Sequence, residues 1–94
     1  MKRKSSASEL AKLVGVSPAR GMEAVIKAQL ITAVLKASKS QDLTHAELAK
    51  RSGLPRSAVT GILSGSLHKV TIDRVLKLVE AVGLVPEIKF HRAA

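Results

Sequence analysis

Residues 43–65 read LTHAELAKRSGLPRSAVTGILSG, and they carry the clearest signals of local structure in the chain. Thr44 is followed three residues later by Glu47, which is the pattern of a capping box at a helix N-terminus. Gly53 stands where a helix has to end and the chain needs a left-handed conformation. Pro55 then favours the start of a second helix. The stretch therefore predicts two short helices joined by a tight, Gly-containing turn, which is a helix-turn-helix arrangement.

The composition indicates one small domain with an aliphatic core and an anionic partner. Hydrophobic residues make up 46% of the 94 residues, yet Phe90 is the only aromatic one. Sixteen Lys and Arg against seven Asp and Glu give a net charge of +9. A charge of this size on a small domain favours nucleic acid as the partner. The apolar runs are too short to span a membrane, and the lack of aromatic stacking residues argues against RNA.

The sequence argues against a disulfide-linked, metal-binding, secreted or enzymatic protein. The chain has no cysteine, so we expect no disulfide and no thiolate metal site, and we expect no other metal or cofactor. The N-terminus is basic but has no apolar signal-peptide core, which predicts a cytoplasmic protein of bacterial or phage origin. Three histidines and glutamates that read as caps or solvated faces do not make a catalytic site, so we expect no enzymatic activity.

The pattern predicts three further helices around the central pair. A short leader helix is predicted over 7–14, and an N-cap followed by Pro predicts a long helix over 17–39. Thr71 caps a last helix over 72–82, which is apolar nearly all round. The basic tail over 1–5 either contacts DNA, along the phosphate backbone or in the minor groove, or is simply solvated.

The segment over 84–92 changes to a period of two, which predicts a strand. A single strand cannot pair its own backbone groups, so a symmetric second chain is the expected partner. An extended tail without pairing is the alternative. The surplus apolar surface of the last helix points to the same dimer. The residues predicted at this interface are Leu78, Val82, Val85, Ile88 and Phe90.

The predicted fold class is therefore all-α: a small helical bundle with a helix-turn-helix, plus one C-terminal strand paired across a dimer. We divide the chain into three segments. Residues 1–16 form the basic tail and leader helix, residues 17–83 form the helix-turn-helix domain, and residues 84–94 form the dimerisation strand and tail.

The spacing L-T-x-x-E-L-A-x-x-x-G-L-x-x-x-x-V-T-x-I-x-x-G in residues 43–65 resembles the Xre/Cro-type helix-turn-helix repressor family, and the resemblance extends over roughly residues 30–84. It implies a lambda-repressor-like bundle whose second motif helix enters the major groove. It also implies a homodimer that binds a palindromic operator in double-stranded DNA as a sequence-specific transcriptional repressor.

The resemblance assigns roles to particular residues. It implies base reading by Arg56, Ser57, Thr60, Pro55 and Gly61, and phosphate contacts by Thr44, His45, Ser66, His68 and Lys69. Arg56 is the best base reader, because a guanidinium can bond O6 and N7 of guanine together. Many relatives bury an Arg–Glu pair where this chain has Ser38 and Leu63, which predicts a drier core at that corner.

A narrower resemblance concerns the segments outside the motif. The leader helix, the KAQL segment at 27–30 and the GLVPEIKF segment at 83–90 resemble small antitoxins of the HigA and HipB kind. This implies the antitoxin of a toxin–antitoxin pair, which binds a toxin protein and autoregulates its operon. A stand-alone prophage or bacterial regulator without a toxin partner is the alternative.

Overall fold

The structure, a computed structural model, describes residues 18–65 and 70–92. These two ranges contain four helices and no strand. The helices are α1 (Pro18–Ser40), α2 (His45–Ser52), α3 (Arg56–Leu63) and α4 (Ile72–Ala81). Helices α1 and α4 lie within one residue of their predicted bounds, and α2 and α3 lie within the predicted helix-turn-helix stretch, so the predicted all-helical bundle is confirmed for this part of the chain. The leader helix predicted over 7–14 lies outside the described residues.

Local chemistry explains where α2 begins and ends. The backbone N–H of Glu47 donates to Oγ1 of Thr44 at 3.1 Å, and the backbone N–H of Thr44 donates to Oε1 of Glu47 at 3.3 Å. These two bonds form the predicted capping box. At the other end, Gly53 has φ of 77° and its N–H donates to the carbonyl of Ala49 at 2.9 Å. A glycine adopts this left-handed conformation without a Cβ clash, so α2 ends here.

The core is made of aliphatic side chains from all four helices and the two connections beside them. Helix α1 packs against α4, and α2 packs against both α3 and α4. The Nε2 of Gln41 donates to the carbonyl of Val82 at 2.9 Å and ties the end of α1 to the end of α4. The buried core residues are Ile31, Val34, Leu48, Leu54, Val59, Ile62, Val70, Val75, Leu78, Val79 and Val82.

One corner of this core contains a polar atom. Ser38 on α1 is 8% exposed, and its Oγ has no hydrogen-bond partner. Leu63, at the end of α3, is half-buried and packs against the core. No charged pair is buried at these two positions, as the sequence indicates. The corner is not purely apolar, however, because the unpaired hydroxyl of Ser38 remains in it.

The strand predicted over 84–92 is absent from the single chain. The N–H of Leu84 donates to the carbonyl of Val79 at 3.1 Å, and the residues beyond it have irregular backbone. Val85 is 90% exposed, Ile88 77% and Phe90 92%. The physical reason is that a strand exists only through hydrogen bonds to a neighbouring strand, and no such neighbour occurs in the described part of this chain.

Two of the five predicted interface residues are buried within the chain. Leu78 and Val82 on the last helical turns are 0% and 3% exposed, because α4 packs its apolar surface against α1 and α2. They stabilise the core of one chain and offer no surface to a second. The apolar surplus of α4 is used within one chain, because α4 contacts two helices and therefore needs a wider apolar face than one stripe.

Candidate nucleic-acid interface

The helix-turn-helix unit consists of α2, a turn over 53–55, and α3. The turn is held by the left-handed Gly53 and by Leu54, whose N–H donates to Oγ of Ser52 at 3.2 Å and whose side chain is buried. Pro55 has φ of −59° and ψ of 146°, so it is the N-cap of α3 and not its first residue. The turn therefore sets where α3 begins.

Helix α3 has a buried face and an exposed face. Val59 and Ile62 are 0% and 3% exposed and anchor the helix in the core. Arg56, Ser57 and Thr60 are exposed, and their i, i+1 and i+4 spacing places them on the opposite side. The structure therefore brings together three of the five predicted base readers on one face. Pro55 lies exposed at the edge of that face, and Gly61 is half-buried beside it.

The charge of α3 suits an anionic partner. The helix carries Arg56 and no acidic residue in its first turn. Its N-cap is a proline, which has no side-chain acceptor for the first backbone N–H groups, so the positive end of the helix stays open to an outside anion. Lys50 and Arg51 at the end of α2 add two exposed cations on the neighbouring element of the motif.

His45 and Thr60 are in direct contact across the motif. The Nδ1 of His45, in the first turn of α2, lies 3.0 Å from Oγ1 of Thr60 on α3. The imidazole is half-buried, whereas Thr60 is exposed. A predicted phosphate contact and a predicted base reader are thus joined by a hydrogen bond. Sequence reasoning missed this pair, because no local rule connects residues that lie fifteen positions apart on two helices.

Thr44, a predicted phosphate contact, already has hydrogen-bond partners within the chain. Its backbone N–H points at Oε1 of Glu47, and its hydroxyl lies 3.1 Å from the same oxygen. Both protons of Thr44 are therefore directed to the capping box and not to solvent. As a phosphate donor Thr44 would have to break that box. The other three predicted phosphate contacts, Ser66, His68 and Lys69, lie outside the described residues.

Metal-ligand clusters and membrane-spanning helices are both absent from the described ranges. Among residues 18–65 and 70–92, no three His, Asp or Glu side chains gather in a way that could hold a metal ion. Within the same ranges, no helix has the length and hydropathy needed to cross a membrane.

Comparison with known proteins gives one finding. A family model described as a helix-turn-helix domain matches residues 14–91, which include all four described helices and the exposed segment after them. No curated protein and no solved structure matches the chain significantly.

Proposed function

Because the chain belongs to the helix-turn-helix domain family, we propose that it binds double-stranded DNA sequence-specifically and represses transcription. One observation carries this proposal. Helix α3 is anchored by Val59 and Ile62, while Arg56, Ser57 and Thr60 stand exposed on its outer face. An anchored helix with three polar side chains on its exposed face has the shape that a B-DNA major groove accepts.

The side chains divide into readers and positioning groups. Arg56 is the proposed reader of guanine, since its planar guanidinium bonds O6 and N7 together. Ser57 and Thr60 are short and reach bases or nearby phosphates. The lysines and arginines around the motif, including the proposed phosphate contact Lys69, supply affinity that does not depend on sequence. No step in this proposal requires a cofactor, a metal or catalysis.

We further propose that the protein works as a homodimer, joined through residues 84–92. The support is the exposed apolar side chains of Val85, Ile88 and Phe90 on a segment whose backbone is not paired within the described chain. Pairing with the same segment of a second copy would satisfy the backbone and cover these side chains together. The two α3 helices would then contact half-sites about one helical turn, or roughly 34 Å, apart.

The antitoxin role is the finer part of the proposal. It rests on the resemblance of the leader and of the GLVPEIKF segment to small antitoxins, and the alternative is a stand-alone regulator. Coexpression with the product of the adjacent reading frame distinguishes the two. An antitoxin is expected to rescue growth from that product and to copurify with it at a fixed ratio. Growth arrest that the protein does not relieve would favour the stand-alone regulator.

The test of DNA binding starts from a random double-stranded library. We expect selection by the purified protein to enrich a motif with two inverted halves, and footprinting to protect both halves on one face of the duplex. Enrichment of no sequence at all would contradict the proposal. A single asymmetric half-site bound by a dimer would contradict the symmetric arrangement but not DNA binding itself.

A further inference from the structure

The hydrogen bond between His45 and Thr60 has consequences for which base the protein selects. The two atoms lie 3.0 Å apart, one on a half-buried ring of α2 and the other on the exposed face of α3. Thr60 shares that face with Arg56, so whatever fixes its hydroxyl proton also fixes what it presents to DNA. This argument rests on the proposed function, because it concerns the same DNA-reading face.

A threonine hydroxyl has one proton, and the direction of this proton decides whether Thr60 acts as a hydrogen-bond donor or as an acceptor toward DNA. If Thr60 donates to Nδ1, its oxygen presents only lone pairs outward and accepts a hydrogen bond. If Nδ1 carries the proton and donates to Thr60, the hydroxyl proton is free to donate outward. The first state selects a base with an amino group, and the second selects a base with a carbonyl or N7 acceptor.

The other ring nitrogen decides between these states. A neutral imidazole carries one proton, on either Nδ1 or Nε2. A DNA phosphate is an acceptor, so a phosphate beside Nε2 holds the proton there and leaves Nδ1 as a bare acceptor. Nδ1 then accepts the proton of Thr60. The hydroxyl thus donates to the ring, and the ring donates to the phosphate.

We propose that His45 is a positioning residue that makes Thr60 a hydrogen-bond acceptor toward DNA. In the complex Nε2–H donates to a phosphate, Thr60 donates to Nδ1, and Oγ1 of Thr60 accepts from N6 of adenine or N4 of cytosine on the strand that it faces. His45 therefore contributes to sequence preference without touching a base.

The experiment compares motifs selected from a random duplex library at pH 8, where imidazole in water is neutral. We expect the wild-type motif to contain one base pair that the wild type prefers and at which Thr60→Val loses the preference. The proposed contact is to the adenine or cytosine of that pair. His45→Ala is expected to lose the preference at that same position, by about 2- to 10-fold, as is typical for one hydrogen bond. Ser40→Ala, which removes an exposed hydroxyl at the end of α1, outside the motif, is the control and is expected to leave that preference unchanged.

Removing the amino group from the DNA tests the direction of the bond. The adenine or cytosine of that pair is replaced by its analogue without the amino group, which is purine for adenine or 2-pyrimidinone for cytosine. Wild-type binding is expected to fall about 2- to 10-fold, whereas His45→Ala and Thr60→Val, already deprived of the contact, are expected to lose much less. His45→Gln keeps both a donor and an acceptor and is expected to recover part of the preference.

The tautomer gives a readout that is independent of affinity. In the complex, ¹⁵N long-range NMR is expected to find Nδ1 of His45 without a proton and Nε2 with one. A protonated Nδ1, wild-type binding that stays unchanged when the amino group is removed, or a His45→Ala variant that loses affinity equally for all duplexes would each overturn the inference. A wild-type protein that enriches no sequence would instead count against the proposed function itself.

Discussion

Two glycine-to-alanine substitutions in the motif show how the backbone conformation at each site affects stability. Gly61 lies inside α3, while Gly53 ends α2 with φ of 77°. A Cβ built at either position meets nothing within 4 Å. Steric crowding is therefore removed from the comparison, and only the backbone conformation differs between the two sites.

The expected effects have opposite signs. Alanine in a helix interior is favoured over glycine by about 0.8–1.0 kcal/mol, so Gly61→Ala should raise the free energy of unfolding by about that amount. A left-handed conformation costs an L-residue about 1–2 kcal/mol, so Gly53→Ala should lower it by a similar amount. For a domain of this size, 1 kcal/mol corresponds to roughly 4–8 °C in Tm.

Urea unfolding followed by far-UV circular dichroism, at one fixed protein concentration, measures both changes. The fixed concentration matters because dimerisation would add to the apparent stability. An unchanged or lowered stability for Gly61→Ala would show that glycine at position 61 does not destabilise the helix. The helical backbone and the open space around residue 61 leave no reason within the described fold for a glycine there. A stabilised Gly53→Ala would refute the assignment of the left-handed turn.

Three further predictions concern stability and assembly. Ser38→Ala removes a buried hydroxyl without a partner and should raise the free energy of unfolding by about 1 kcal/mol in the same urea assay. The control Ser40→Ala, at an exposed position, should raise it by only a few tenths of a kcal/mol. A lower stability of Ser38→Ala would mean that the hydroxyl of Ser38 has a partner. Thr44→Ala should cost about 1 kcal/mol, and adding Glu47→Ala should cost less than the sum of the two single changes, because both side chains belong to one capping box; strict additivity would argue against that box. Deleting the residues after Gly83 should give monomers in sedimentation velocity, and a truncated protein that stays dimeric at micromolar concentration would exclude residues 84–92 as the interface.

The helix-turn-helix could be predicted from sequence because its signals are local. The capping box of Thr44 and Glu47 and the left-handed Gly53 each act over three or four residues, and the structure contains both. The exposed positions of Arg56 and Thr60 follow from helical spacing once Val59 is known to be buried. Pattern and propensity agree along this stretch, so its fold has few alternatives.

Features that depend on distant parts of the chain could not be predicted in the same way. The apolar surplus of α4 indicated a dimer interface, yet Leu78 and Val82 are buried within the chain because α4 contacts two helices. The period of two over 84–92 described side-chain alternation, but a strand also needs a partner for its backbone. The contact between His45 and Thr60 depends on how two helices pack, which no spacing rule encodes.

A titration with two arginine variants shows whether the outer face of α3 reads bases. Wild type, Arg56→Ala and Arg74→Ala are titrated against the selected operator and a scrambled duplex at several salt concentrations. Arg74 is exposed on α4, so its removal takes away the same charge from a different helix. Arg56→Ala should lose about 1–3 kcal/mol on the operator and much less on the scrambled duplex, while Arg74→Ala should change the affinity for both duplexes by the same factor. Equal losses for Arg56→Ala on the two duplexes would contradict the claim, because Arg56 would then act only as a positive charge.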